Sequence, residues 1–318
     1  MIPALARPAL IPLSLPPSVA SALTLIESDS ETKERPRPNI GGQAVIEGVM
    51  MRNGERVVVA VRRPRSGEIV LRELRPFQTW RKLSKVPFVR GVYNLFDILV
   101  LGIKALNLSA NLSLEEEGEK FGALELSLTL ALALGIAVGG FFILPLWLTD
   151  LFAGRAVAGG ILFAFLEGLI RIALILLYLL GITLFKDIRR VLQYHGAEHK
   201  SIQTFEHSEE LTPENARKYR TFHSRCGTSF LLLVAVIAVL VFSLVGNPPL
   251  LWKALSRLLL LPFIAGFSYE VLMFAARHAE SPWLRPLIAP GLWLQRLTTR
   301  EPDDSQLEVA LTALKAVL

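Results

Sequence analysis

The stretch Thr228-Ser229-Phe230-Leu231-Leu232-Leu233-Val234-Ala235-Val236-Ile237-Ala238-Val239-Leu240-Val241-Phe242-Ser243-Leu244-Val245 decides the fold. It carries no charge, is long enough to cross a hydrocarbon core, and is closed by Gly246-Asn247-Pro248-Pro249. Leu255 to Ala276 is a second such run, ending at Arg277. Gly159 to Phe185 is a third, ending against Lys186, Arg189 and Arg190. Phe121 to Phe152 is a fourth, with Glu125 near its start and Asp150 near its end. Together they predict four transmembrane helices in a mainly α, polytopic protein. The composition agrees: 52% of residues are hydrophobic and only 19% charged, with mean hydropathy +0.45. A soluble domain carries about 25% charged residues, so a soluble enzyme is excluded, and so is whole-chain disorder. The single cysteine, Cys226, excludes an internal disulfide and a four-cysteine zinc site.

The cations orient the chain. Apart from Arg155, Arg171, Lys253 and Arg257, all of the 34 Lys and Arg residues fall on one side of the four runs. Short basic loops stay with the cytosol. The N-terminus, residues 186–227 and the C-terminus are therefore expected on the cytosolic face of the membrane. The connections near 150–158 and 246–254 are expected on the other face. This bias accounts for the net charge of +6 without nucleic acid, for which no binding motif is present. The lipid bilayer is the one partner predicted.

Residues 1–38, with Pro3, Pro8, Pro12, Pro16 and Pro17, predict a disordered tail without the compact regions of a secretory signal. Residues 39–85 predict a small cytosolic β subdomain. In it, Arg56–Arg62 and Glu68–Arg72 flank the turn composition Pro64-Arg65-Ser66-Gly67 as a hairpin. In 86–120, Arg90, Asn94, Asp97, Lys104 and Asn111 share one helical stripe on an otherwise apolar segment. That predicts an amphipathic interfacial helix, with a fifth span as the alternative. Residues 121–277 form the four-helix domain, and 278–318 predict cytosolic amphipathic helices, the last started by Pro302-Asp303-Asp304. No internal repeat is visible, which weakens a transporter reading built on inverted repeats.

The chemistry centres on Tyr194-His195-Gly196-Ala197-Glu198-His199-Lys200. On a helix His195 and His199 project from one face with Glu198 beside them. This H-x-x-E-H string matches the arrangement of two zinc ligands and a water-activating carboxylate. His223-Ser224-Arg225-Cys226 adds a histidine and a thiol at H-x2-C spacing. Zinc accepts both donor types and usually takes four. If His195, His199, His223 and Cys226 all bind, the site is closed and structural. If one stays off, a water position opens and Glu198 serves as its base. The bland alternatives are interfacial histidines and a small buried thiol. His207 reads as a solvated loop residue and His278 as interfacial. Glu270, inside the last apolar run, is a possible additional ligand or acid/base, or a carboxylate snorkelling toward Arg277. Glu167 and Arg171 read as an i,i+4 ion pair, and Gly135 and Gly139 as a helix-packing face.

At these residues the sequence resembles the YqhQ-like family of bacterial membrane proteins, a domain of unknown function whose members are described as predicted metal-dependent enzymes. The matching strings are Gly41-Gly42-Gln43-Ala44-Val45-Ile46-Glu47-Gly48-Val49-Met50-Met51-Arg52, Tyr194 to Lys200, His223 to Thr228, and Ser268-Tyr269-Glu270. They spread over approximately residues 39 to 300. The family carries proline at the position of Ser224, which alters the bend between His223 and Cys226. The resemblance implies a polytopic membrane protein with a metal site, and it draws Glu47 toward the histidines as a further ligand or base. The leading expectation is a metal-dependent hydrolase with a divalent, zinc-type metal at the cytosolic interface. A non-catalytic scaffold or assembly factor with a structural metal is the alternative. A transporter built on Glu270 and Glu167–Arg171 is the third.

Overall fold

The computed structural model describes residues 40–76, 86–115, 122–153, 160–223, 225–245, 249–277 and 285–318. The expected tail over 1–38, Ser224 and His278 lie outside the described residues.

Four strands, β1 (Ile40–Val45), β2 (Gly48–Asn53), β3 (Arg56–Arg62) and β4 (Ile69–Leu74), form one antiparallel sheet in sequence order. The predicted hairpin is β3–β4, with Arg62 opposite Ile69. A tighter one, β1–β2, turns at Ile46-Glu47, where Glu47 takes a φ of 52°. β3 reads as an unbroken apolar run because both of its faces are covered. Val57, Val59 and Val61 pack on Leu101, Ala105 and Leu112 of α1 (Val89–Glu115). Val58 and Ala60 share the opposite core with Tyr194 and Ala197 of α5 (Lys186–Glu206) and Leu307, Leu311 and Leu314 of α10 (Asp304–Val317). The start signal read before α10 is a capping box between Asp303 and Gln306.

Between these, α2 (Ala123–Val138) passes through a π-type turn at Gly139–Ile143 into α3 (Leu144–Ala153). α4 (Ile161–Ile182) precedes α5, and the short α6 (Pro213–Arg217) follows it. α7 (Gly227–Val245), α8 (Leu250–Arg277) and α9 (Arg285–Thr298) lead to α10. Gly135 and Gly139, expected to pack, have nothing within 4 Å of an added Cβ.

Five helices are long and apolar enough to cross a membrane, over residues 89–114, 124–152, 161–182, 227–245 and 255–275. The protein is therefore a multi-pass membrane protein. The fifth helix is α1, expected at the surface with a fifth span as the alternative, and chain connectivity bears on its place. The sheet, α5 and α10 share one core, so they lie on the same side of any bilayer. The chain must cross an even number of times between β4 and α5, and again between α5 and α10. α7 and α8 supply the second pair. Only two of α1, α2–α3 and α4 can supply the first. α1 lies against the sheet and buries the polar Asp97 (1% exposed), ion-paired to Arg52 of β2 at 2.5 Å, the packing that favours it as the helix that stays on the sheet's side.

Candidate metal centre

α5 is polar by sequence, yet Gly196 through Thr204 are buried without a break. Such a segment tolerates burial when most of its polar groups are satisfied, as here, with Ser201 Oγ the exception. Lys200 pairs with Glu301 and reaches the Arg217 carbonyl at 3.3 Å. Gln203 Nε2 donates to the carbonyls of Arg220 (2.8 Å) and Phe222 (3.0 Å), and so fixes the loop that follows α6. Gly196 allows the chain after α9 to press directly onto α5: a Cβ there would overlap the Arg300 carbonyl oxygen. Arg300 N–H in turn donates to the Leu192 carbonyl at 2.9 Å.

That close approach sets the histidines. His195 Nδ1–H donates to the Thr298 carbonyl at 2.7 Å, and His199 Nδ1–H to the Thr221 carbonyl at 2.6 Å. A carbonyl can only accept, so each ring carries a proton on Nδ1, and Nε2 is the nitrogen that can serve as a metal donor. The two rings meet edge to face with centroids 4.4 Å apart. Cys226 Sγ lies 3.3 Å from His195 Nε2 and 3.2 Å from Thr228 Oγ1. One ligand atom each from His195, His199 and Cys226 fall within 4.8 Å of one another. Tetrahedral zinc with ordinary Zn–N and Zn–S bonds holds its donors about 3.5 Å apart, so the nitrogen–sulfur pair is already at ligand spacing.

Charge reinforces the grouping. Burial works against protonating His195, but Cys226 and Glu198 outweigh it and push its pKa up to about 9. Burial also opposes ionisation of Cys226, yet His199 and His195 hold the thiol well below its ordinary 9.0. Thiolate character is thus favoured at Cys226, which supplies the soft anionic donor that zinc favours, and an ion taking up Nε2 of His195 would displace any proton held there. The residues present fit a divalent, thiophilic metal.

Glu198, 5% exposed, stands beside them. Its carboxylate packs against Gly42 of β1, where an added Cβ would sit 2.8 Å from Oε1. Burial raises its pKa, and the neighbouring imidazoles oppose that rise.

Other expected site residues stand elsewhere. His223 lies next to the cluster, its ring centroid 5.6 Å from that of His199, but its Nε2 faces Glu206 Oε2 at 3.3 Å. The fully buried Gln295 fixes its backbone, accepting from His223 N and donating to His223 O, both at 2.8 Å. Glu47 does not join the histidines. Its carboxylate takes Arg190 Nη2 at 2.6 Å and Tyr194 OH at 3.3 Å, bracing the β1–β2 turn against the preceding turn of α5. Glu270 binds Arg90 through both carboxylate oxygens, with Nε–Oε1 at 2.7 Å, and ties α8 to the start of α1. His207 caps its own helix, its Nδ1 2.8 Å from the Gln203 carbonyl, and stacks 4.7 Å from Tyr219. Sequence reasoning missed Gln203 and Gln295 as positioning residues, the glycines 42 and 196, and the two accepting carbonyls.

Against known proteins, the family described as "Protein of unknown function (DUF1385)" matches residues 86–318. The chain is similar to the "Uncharacterized protein YqhQ" of Bacillus subtilis (strain 168), 35% identical over 303 residues that cover 90% of this chain and 94% of that protein. No solved structure matches it. Matches of that extent, spanning the site and the long apolar helices, establish descent from a common ancestor: the chain belongs to the YqhQ-like, DUF1385 family of bacterial proteins.

Proposed function

We propose that this membrane protein is a metal-dependent hydrolase whose metal is held by His195, His199 and Cys226. The observation that carries the proposal is the locked pair of Nδ1–H donors, which leaves the two Nε2 atoms as the donors that face a buried cysteine, with a buried carboxyl group beside them. When bound, a zinc-type ion with three protein donors supplies Lewis acidity and lowers the pKa of water toward neutrality. The chain's own residues do the rest. Thr298 and Thr221 hold the imidazoles in one tautomer. Glu198 is close enough to the imidazoles to feel their charge, and its raised pKa suits a group that takes a proton from water and returns it to a leaving group.

Glu198→Gln keeps size and packing against Gly42 but cannot take the proton. Hydrolysis of a chromogenic ester such as p-nitrophenyl acetate is expected to fall about 100-fold or more while metal content stays at the wild-type level. Unchanged hydrolysis with full metal overturns the assignment of Glu198. A closed structural site is the second reading, favoured by the nearness of the His223 ring to His199. It has Glu198→Gln neutral throughout.

The Lys and Arg bias supports placing the sheet, α5, α10 and the metal centre in the cytosol. A fluorescent-protein fusion to Leu318 is then expected to glow, and an alkaline phosphatase fusion there to be inactive. The reverse pattern inverts the topology.

A further inference from the structure

The four cations that break the basic-side rule are Arg155, Arg171, Lys253 and Arg257. The last three converge on one place in the fold. Glu167 of α4, 1% exposed, accepts from Arg171 Nη2 at 2.6 Å and from Arg257 Nη2 at 2.7 and 2.5 Å. Arg171 also donates from Nε to the Phe141 carbonyl (2.9 Å) in the π-type turn, where the helical ladder is irregular. One carboxylate thus serves two guanidinium groups. Lys253, one turn before Arg257 on α8, is only 7% exposed, with Nζ 5.2 Å from the Phe163 ring centroid. Among the described residues no carboxylate pairs with it and no acceptor hydrogen-bonds to its Nζ. Asp150, whose field reaches it, is exposed.

Three cations against one buried carboxylate leave positive charge in a place where charge is costly without a counter-ion. The depth identifies the counter-ion. Lys253 lies two residues ahead of the apolar stretch 255–275, and Glu167 six residues into 161–182, about 9 Å of helix. For spans of that length these positions fall toward the headgroup boundary. They also lie on the face away from the metal centre, because the far end of α8 meets α1 and the far end of α4 leads into α5. About 22 Å of α4 separates Glu167 from Ile182.

We propose that Lys253 and Arg257, buttressed by Glu167 and Arg171, bind the phosphate group of an anionic phospholipid in the leaflet opposite the metal centre. The site fixes α4 and α8 against each other through a lipid phosphate rather than through protein carboxylates alone. It stands independently of the chemistry assigned to the metal.

The test presents the full-length protein in detergent with palmitoyl-oleoyl phosphatidylglycerol, with the phosphatidylcholine of the same chains, or with inorganic phosphate. Bound ligand per chain is read by native mass spectrometry. One phosphatidylglycerol is expected to be retained in preference to phosphatidylcholine. Lys253→Gln should weaken that retention about tenfold, the loss of one charge-assisted contact. Lys253→Arg should restore it, and both variants should keep their metal. Inorganic phosphate that displaces the lipid shows that the phosphate group alone is recognised. Phosphate that fails to displace it places the lipid's chains in the site as well. Equal retention of the two lipids, or retention unchanged in Lys253→Gln, overturns the proposal. Should Lys253→Gln not fold, Lys253→Met in the purified, folded state gives the same readout. A lysine that only snorkels predicts undiminished lipid there.

Discussion

His199→Ala and Cys226→Ser are each expected to strip the purified protein of its metal. Elemental analysis should fall from near one metal per chain to background. The size of the effect follows from the donor count. Removing an outer group that only orients a ligand costs about 10–100-fold in affinity. Removing one of three ligands costs more, because the two that remain no longer define a tetrahedral face. Cys226→Ser has a second cost: the thiolate is the anionic member of the cluster and the main charge acting on His195. His223→Ala separates the two forms of the site. With its Nε2 facing Glu206, His223 is expected to be dispensable for metal retention. If His223→Ala empties the site as completely as His199→Ala, the site is closed by four ligands and the hydrolytic reading goes with it. Wild-type protein that carries no metal, and takes up none from zinc-supplemented buffer, removes the metal centre altogether.

Part of this centre was legible in the sequence, and the division is physical. His195, Glu198 and His199 are one turn apart, and a helix fixes their relative directions locally. Cys226 comes from a different segment, so spacing could nominate it but could not rank it against His223. Glu206, seven residues after His199, makes that choice by facing His223. The accepting carbonyls of Thr221 and Thr298 are backbone atoms, and no residue type announces them. Gly42 and Gly196 left the weak signal of glycine inside a strand and a helix, which marks close backbone approach without naming what approaches. The β1–β2 turn carries Glu47 to Arg190 and Tyr194, upstream of the histidines, a placement that no local spacing fixes. The same holds for the membrane body. Apolar runs revealed α2–α3, α4, α7 and α8, since crossing a bilayer is a requirement on composition. α1 meets that requirement too, and composition alone does not foretell its packing on the sheet. Glu167–Arg171 was visible as a pair, whereas Arg257, 90 residues from Glu167, joins it only in the fold.

Gly196→Ala is expected to be among the most damaging single-methyl substitutions in the chain. Helix propensity alone favours alanine over glycine by up to about 1 kcal/mol, so an unconstrained Gly196 would gain stability from the change. The structure reverses the sign. The new Cβ meets the Arg300 carbonyl oxygen, a backbone atom that cannot swing aside as a side chain would. Arg300 is held to α5 by its own N–H on Leu192. α5 cannot retreat either, because Tyr194 and Ala197 are fully buried against the sheet and α10. Overpacking costs typically about 1–3 kcal/mol, and a rigid backbone contact of this kind belongs at the upper end. The displaced segment carries the Thr298 carbonyl that holds His195 Nδ1, so the metal should weaken together with the fold. The expected result is a lowered thermal midpoint in detergent and a loss of bound metal, even in the fraction that remains folded. A midpoint at or above wild type with metal retained means that α5 and the segment after α9 do not press together at Gly196. The Thr298 carbonyl would then not be what sets the tautomer of His195.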